Sequence, residues 1–231
     1  MIVNIARILV ALWRRAVKET SPTVLVIDDD PDLRDSLGTL LRSAGLNAQL
    51  FESIPDFLRC SRPEGSACLV LDVRLPGASG LEFQRELAAA NVKLPIIFIT
   101  GYGDVPMSVQ AMKGGAIEFL TKPFRQQELL DAIYSALAQD QAHQEIERAS
   151  SALKKRFEAL SAREREIMLH VAQGRLSKQI AADLGISETT VNVHRSNLMH
   201  KMKAASIAEL GRIAEKLNLI PDKLQISRNR R

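Results

Sequence analysis

Asp72 closes an apolar run, Ala67-Cys68-Leu69-Val70-Leu71, and so belongs at the carboxyl end of a buried strand. A second run, Val24-Leu25-Val26-Ile27, ends in Asp28-Asp29-Asp30. A third, Pro95-Ile96-Ile97-Phe98-Ile99, ends in Thr100, and Ala116-Ile117-Glu118-Phe119-Leu120 leads to Lys122-Pro123. Ligands of an open parallel sheet bind outside the carboxyl ends of its strands, so carboxylates, a hydroxyl and an ammonium would converge on one crevice. Such a set is suited to a divalent cation and a phosphoryl group. Mg²⁺ takes oxygen ligands, usually one or two carboxylates plus phosphate, and a carboxylate can itself be a nucleophile and become an aspartyl phosphate. A plainer use of Asp28 or Asp30 is to cap the helix that follows Pro31. The functional reading gains from the acids ending two separate strands while Thr100 and Lys122 end two more.

The elements that must position these residues alternate from Thr23 to about Gln139. A helix is expected over 32–44, with Leu33, Leu37, Leu40 and Leu41 on one face and Gly45 ending it. A short strand follows at 47–51, then a helix from about Ser53. Past Asp72 a helix starts near Ser79 and stops near Asn91. Strand 95–99, helix 105–114, strand 116–120 and a helix from about Gln126 complete five βα units. That pattern means a parallel sheet covered on both faces. Residues 139–158 are polar, without Pro or Gly, and read as a linker that is helical in part.

From Leu160 the periodicity is helical only. Ser161-Ala162-Arg163-Glu164 has the form of a capping box. Ser177 to Leu184 forms a second helix stopped by Gly185, Ser187 caps a third to about Met202, and Ser206 opens a fourth to Leu217. A helix, the turn Gly185-Ile186-Ser187 and a longer helix make a helix-turn-helix pattern. The third helix carries Thr189, Thr190, Asn192, Val193, Arg195 and Ser196, all but Val193 polar, where a recognition helix meets base edges. Asn192 could read adenine through a bidentate pair. Arg195, Lys201 and Lys203 suit phosphates, and His194 is better read as partly buried structure.

Charge divides along the same lines. Residues 21–138 hold 10 Lys and Arg against 15 Asp and Glu, and residues 139–231 hold 17 against 11. An acidic first domain and a basic second one direct any polyanion to the second. The 2 cysteines, Cys60 and Cys68, have no CxxC spacing, so neither a zinc site nor a disulfide framework is expected. Cys68 reads as a small core hydrophobe, and a reducing cytosol fits. No run reaches the length of a membrane span. Residues 1–20 are open to three readings: an upstream-extended start, a frayed helix, or an interfacial helix with Trp13 and Arg14-Arg15 at a lipid boundary.

Val26-Ile27-Asp28-Asp29-Asp30, Leu71-Asp72-Val73-Arg74-Leu75-Pro76-Gly77-Ala78-Ser79-Gly80, Thr100-Gly101 and Phe119-Leu120-Thr121-Lys122-Pro123-Phe124 together resemble the receiver domain of two-component response regulators. Gly103-Asp104-Val105-Pro106-Met107 is similar to the FixJ type. Leu160-Ser161, Arg163-Glu164, Glu166, Ile180-Ala181, Leu184, Ile186-Ser187, Thr190-Val191 and His194-Arg195 resemble the LuxR-type domain of the NarL/FixJ family. Two positions depart from its common pattern: Asn192 stands where lysine is frequent, and Arg175-Leu176-Ser177 replaces an Asn-containing turn. Both leave the DNA sequence open and not the fold.

The resemblance implies a five-stranded, parallel, doubly wound, flavodoxin-like receiver over 21–138, a linker over 139–158, and an all-α four-helix helix-turn-helix domain over 159–231. It implies Asp72 as phospho-acceptor, and Mg²⁺ held by Asp28, Asp29, Asp72 and the backbone carbonyl of Arg74. Lys122 would pair with a phosphoryl oxygen, Thr100 would swing towards it, Phe119 would follow as an aromatic rotamer, and Lys122-Pro123 would be cis. The moving surface would be Val105–Gly115, the strand at 116–120 and the start of the next helix, with Met107, Val109, Met112 and Phe124 as candidates for an apolar dimer patch; ordinary core packing is the plainer reading of each. The implied partners are a sensor histidine kinase, double-stranded DNA, RNA polymerase and a second copy of the chain, and the implied compartment is the cytoplasm. Two other classes stand beside this one. A Mg²⁺-dependent phosphatase would want a general acid near its nucleophile, yet Arg74 occupies the place two residues after Asp72. A DNA-binding scaffold that never uses phosphate is the third class.

Overall fold

Alternation along the strands builds one core on each face of a sheet. Leu25, Ile27, Leu69, Leu71 and Phe98 face one side; Val24, Val26, Cys68, Val70, Ile97 and Ile99 face the other. The structure, a computed structural model, describes residues 21–219. The readings of residues 1–20, and the end of the last domain from residue 220, lie outside the described residues. Five parallel strands, β1 (Thr23–Ile27), β2 (Asn47–Phe51), β3 (Ala67–Asp72), β4 (Ile96–Thr100) and β5 (Glu118–Thr121), lie in the order β2-β1-β3-β4-β5. This is the flavodoxin-like order, which reverses direction between β1 and β3 and opens its crevice there.

Helices α1 (Pro31–Ser43) and the first part of α5 (Gln126–Glu158) cover the second face, with Leu37, Leu41, Leu129, Ile133 and Leu137 buried. Helices α2 (Ile54–Leu58), α3 (Gly80–Ala89) and α4 (Val105–Lys113) cover the first through Phe57, Phe83, Leu87 and Ala111. Caps set the starts. The Asp30 carboxylate accepts from the backbone N–H groups of Asp32 and Leu33, so the capping role falls to Asp30 and not to Asp28. Ser53 and Asp104 cap α2 and α4. Strand β4 begins one residue later than the apolar run because Pro95 has no N–H for the ladder, and it includes Thr100, whose carbonyl accepts from Lys122 N at 2.7 Å. A two-residue antiparallel hairpin, Arg74–Leu75 with Ala78–Ser79, lies just past Asp72. No periodicity announces it, since two residues per strand are too few.

Helix α5 is unbroken through the whole segment expected as a linker. The chain divides into two compact units, one ending at Gln144 and the other beginning at Glu145. Six residues beyond the expected boundary stay with the first unit because of Asp140. Its carboxylate is buried and accepts from Arg62 Nη2 at 2.8 and 3.0 Å, from Ala67 N at 2.8 Å and from Gln144 Nε2 at 2.7 Å. Gln144 also donates to the Gly65 carbonyl. This cluster clasps the loop entering β3 to α5.

The second unit holds the end of α5, α6 (Ala162–Ala172), α7 (Ser177–Leu184), α8 (Glu188–Met202) and α9 (Ile207–Lys216) around Ile167, Met168, Val171, Ile180, Val191, Leu198, Met202, Leu210 and Ala214. Leu153 and Phe157 of α5 pack on this core. Ser161 and Glu164 form the expected capping box. Glu164 does more than cap: it is buried, and Lys201 Nζ of α8 lies 2.7 Å from its Oε2. Gly185 takes the left-handed conformation, φ 64°, that ends α7 and turns the chain into α8. Among the described residues no helix is long and apolar enough to cross a membrane.

Two outcomes follow from these clusters. Asp140→Ala removes the buried carboxylate that Arg62 Nη2 and the Ala67 N–H share, and should destabilise the first unit by about 3 kcal/mol, the scale for breaking a buried ion pair; Gln144→Ala should cost about 1 kcal/mol, both read from chemical unfolding. For Glu164, burial opposes the charge, but the hydrogen bonds from Lys201 and from Ser161 outweigh it and hold the carboxyl below its ordinary value of 4.5. A carboxyl depressed in the folded state stabilises above the unfolded pKa and loses that contribution as pH falls through the folded one. Amide exchange across residues 162–172 of the full chain should therefore accelerate as pH drops below 4.5, after correction for intrinsic rates, and Glu164→Gln should flatten that dependence.

Candidate functional site

Register brings the acids together. Ile27 pairs with Leu71 across β1 and β3, so Asp28 and Asp72, one residue further on, stand level at the switch point. Asp72 pairs with Ile99, which puts Thr100 one step beyond, and Thr100 pairs with Thr121, which delivers Lys122 from the next strand end. Oxygen atoms of Asp28, Asp29 and Asp72 lie within 4.8 Å of one another. Asp28 and Asp72 are buried and Asp29 is exposed. Each buried carboxylate has one oxygen tied to backbone and the other to lysine. Asp28 Oδ1 accepts from Asp30 N at 2.9 Å and Asp72 Oδ1 from Arg74 N at 2.9 Å. Lys122 Nζ reaches Asp28 Oδ2 at 2.8 Å and Asp72 Oδ2 at 2.6 Å.

Electrostatics in this pocket run one way. Burial pushes the Asp28 carboxyl above its ordinary value, the hydrogen bonds from Lys122 and the Asp30 backbone hold it back, and the Asp72 charge adds to the rise. Burial works to lower the Lys122 ammonium, yet its bonds to Asp28 and Asp72 carry it above its ordinary value. Both shifts lean toward the protonated form, that of Asp28 chiefly through burial and that of Lys122 through its two acidic partners. Three carboxylates against one ammonium leave a formal charge near −2, and oxygen-only donors with that deficit fit Mg²⁺.

Thr100 is fully buried and its Oγ1 accepts from Tyr102 N at 3.2 Å. Phe119 is half-buried, with its ring 6.3 Å from that of Phe98. The Lys122-Pro123 peptide is cis. The Arg74 guanidinium lies 4.6 Å over the Tyr102 ring, a contact between the hairpin and the loop after β4 that neither residue type announces in sequence. Gly80, the last residue of the motif around Asp72, has to be small: a Cβ there would overlap the Asp72 carbonyl oxygen. Of the candidate dimer residues, Met112 and Val109 are exposed, whereas Met107 and Phe124 are half-buried against the two cores.

The second candidate surface is α8. Thr189, Thr190, Asn192, Val193 and Ser196 are exposed; His194 and Arg195 are half-buried. Arg195 Nη1 donates to Ser177 Oγ at 2.6 Å, and Ser177 lies 2.8 Å from Asn192 Oδ1. Lys201, expected at a phosphate, holds Glu164 in this structure, while Lys203 is exposed at the end of α8.

Both surfaces have counterparts in known proteins. Residues 24–134 match the family model described as response regulator receiver domain, and residues 158–214 match that of bacterial regulatory proteins, luxR family. Nodulation protein W of Bradyrhizobium diazoefficiens is 50% identical over 200 residues, 87% of this chain and 88% of that protein. Transcriptional regulatory protein FixJ of Azorhizobium caulinodans is 46% identical over 191 residues, 83% of this chain and 90% of that one. The solved structure of the response regulator StyR aligns with a TM-score of 0.78 at 46% identity, covering 85% of this chain and 100% of that chain. The chain thus belongs to the NarL/FixJ response regulators, a receiver domain joined to a LuxR-type DNA-binding domain.

Proposed function

We propose that Asp72 is the phospho-acceptor of a transcriptional regulator switched by a sensor histidine kinase. The supporting observation is the pocket itself: two level carboxylates at a switch point, a third beside them, and one lysine bound to both buried acids. An Asp72 oxygen attacks the phosphorus of a phosphohistidine; the P–O bond forms, the P–N bond breaks, and the imidazole leaves with a solvent proton. Asp28, Asp29, the Asp72 carboxylate and the Arg74 backbone carbonyl would hold Mg²⁺, which would neutralise charge on the phosphoryl oxygens. Lys122 exchanges the Asp72 carboxylate for a phosphoryl oxygen. The Thr100 hydroxyl accepts from Tyr102 N and keeps its own proton to donate. Phosphorylation adds about −1.5 to −2 charge and strong acceptors, so it favours the arrangement in which Thr100 and Lys122 close on it and Phe119 follows.

That differential contact energy is what shifts the receiver between two states. Met112 already offers apolar surface to a second copy, and Met107 and Phe124 would join it once α4 and β5 move. A receiver dimer carries two LuxR-type units to double-stranded DNA with half-sites about one helical turn apart. Thr189, Thr190, Asn192, Val193 and Ser196 face the bases; Arg195 supports them; Lys201 would leave Glu164 to reach a phosphate. RNA polymerase is the further partner and the cytoplasm the compartment of this reading. Turnover chemistry finds no support, because Arg74 stands where a hydrolase would want an acid.

With Mg²⁺ and acetyl phosphate, or with a cognate kinase, the protein should gain one hydroxylamine-sensitive phosphoryl group, and Asp72→Asn none. Operator affinity of the wild type should then rise roughly tenfold, the ordinary size of such couplings. A protein that never takes up phosphate under either donor, or an Asp72→Asn variant whose DNA affinity responds equally, would sink the reading.

A further inference from the structure

Ser177 opens α7 and stands between two residues of α8. Arg195 Nη1 donates to its Oγ at 2.6 Å, and Oγ lies 2.8 Å from Asn192 Oδ1. A guanidinium has donors only. The Ser177 oxygen therefore accepts from Arg195 and gives its proton to Asn192, and the relay runs in one direction. It turns Asn192 Oδ1 back toward the start of α7 and leaves the amide NH₂ as the group that Asn192 can offer outward. Asn192 is exposed; Thr189 and Ser196, three and four residues from it, share its side of the helix, and Val193, four residues after Thr189 and three before Ser196, borders it. Arg195 comes one turn after the buried Val191 and is itself half-buried, placed to orient its neighbour.

A bidentate adenine contact needs the amide oxygen and nitrogen side by side, the oxygen accepting from N6 and the nitrogen donating to N7. An Asn192 whose oxygen is turned back to Ser177 holds that oxygen away from a base edge and presents its amide NH₂ there. Guanine offers two adjacent acceptors, N7 and O6, in the major groove; thymine offers one; adenine sets an N6 donor beside its acceptor; cytosine offers a donor. We infer that Ser177 is a specificity-determining positioning residue, holding Asn192 as a donor so that the DNA half-site carries guanine, and not adenine, opposite it. The inference rests on α8 being the DNA-reading helix, and it revises the adenine contact that the residue type alone suggests.

The test is selection from a library of random duplexes by the full chain with Mg²⁺ and acetyl phosphate, run for wild type, Ser177→Ala, Ser177→Thr and Asn192→Ala. Wild type and Ser177→Thr, which keeps the hydroxyl, should enrich guanine at one position of each half-site. Ser177→Ala frees Oδ1 and should move that position toward adenine by roughly tenfold, the scale of a good bidentate contact. Asn192→Ala should lose preference there alone. The salt dependence of binding should stay the same in wild type, Ser177→Thr and Asn192→Ala, which leave every cation as it is. Adenine enriched by the wild type overturns the inference, as does guanine retained by a folded Ser177→Ala, or a uniform loss of affinity with unchanged base choice. Should Ser177→Ala fail to fold, the wild-type base and the Asn192→Ala pattern still decide. A wild type that enriches no sequence defeats the DNA-binding reading itself, and the inference with it.

Discussion

In-register pairing of β1 with β3 forces two carboxylates to the same level of a buried crevice, and the first unit is arranged to tolerate that. At an effective dielectric of about 20, two unit charges ~5 Å apart repel by roughly 3 kcal/mol. Lys122 relieves this because it meets both acids at once, 2.8 and 2.6 Å away. One ammonium cannot neutralise three carboxylates, so the pocket keeps an appetite for cations. A phosphoryl group arriving there brings the charge the pocket least wants, and only a matching rearrangement of its donors can accommodate it. A site that must either hold a metal or move its lysine is already a switch in electrostatic terms.

Rigidity in the surroundings makes that switch discrete. The strand ends are gripped by a dense core on each face, and each buried acid is fixed by a backbone N–H two residues on. Gly80 lets the hairpin return close over the Asp72 backbone, with Gly80 N donating to the Val73 carbonyl at 2.9 Å. Against this frame the side of α4 is loosely covered. Val105, Val109 and Met112 are exposed, and Gly103 sits against Thr121, Phe119 and Thr100 without a side chain of its own. Under the proposed function, motion that starts at Thr100 would be taken up on the exposed side of α4, while the close approach of Gly103 to Phe119 and Thr121 would couple it to β5.

What was legible in the sequence was whatever depends on chain-local pattern. Apolar runs ending in Asp28, Asp72, Thr100 and Lys122 placed the pocket, because parallel strands put all their carboxyl ends on one edge. Caps at Ser161 and Ser187 were equally readable, since a capping side chain and its target are three residues apart. Contacts across tens of residues were not. Asp140 looks like any polar residue of an exposed helix, and its partners, Arg62 and Ala67, are more than seventy residues upstream. The first compact unit runs on to Gln144 through these contacts. Glu164 read as a cap and turned out also to hold Lys201; Met107 and Phe124 read as candidate surface and sit half in the cores, the plainer alternative for apolar periodicity.

The same distinction bears on how the second unit would meet a polyanion. Its basic balance counts every cation equally, but many are committed within the unit. Arg163 bonds the Leu184 carbonyl and Glu166, Arg165 the carbonyls of Glu158 and Leu160, Arg175 pairs with Asp183, and Lys201 with Glu164. Arg195 serves Ser177. Binding by phosphate neutralisation grows with the number of cations that reach the backbone, and committed cations add to it only by breaking bonds that stabilise the fold. On the proposed function, discrimination would come from the exposed side of α8, where Thr189, Asn192, Val193 and Ser196 offer one apolar and three polar groups. On such a surface the orientation of a single amide would decide which base is accepted, because a short side chain held by Ser177 adapts less readily to the wrong one.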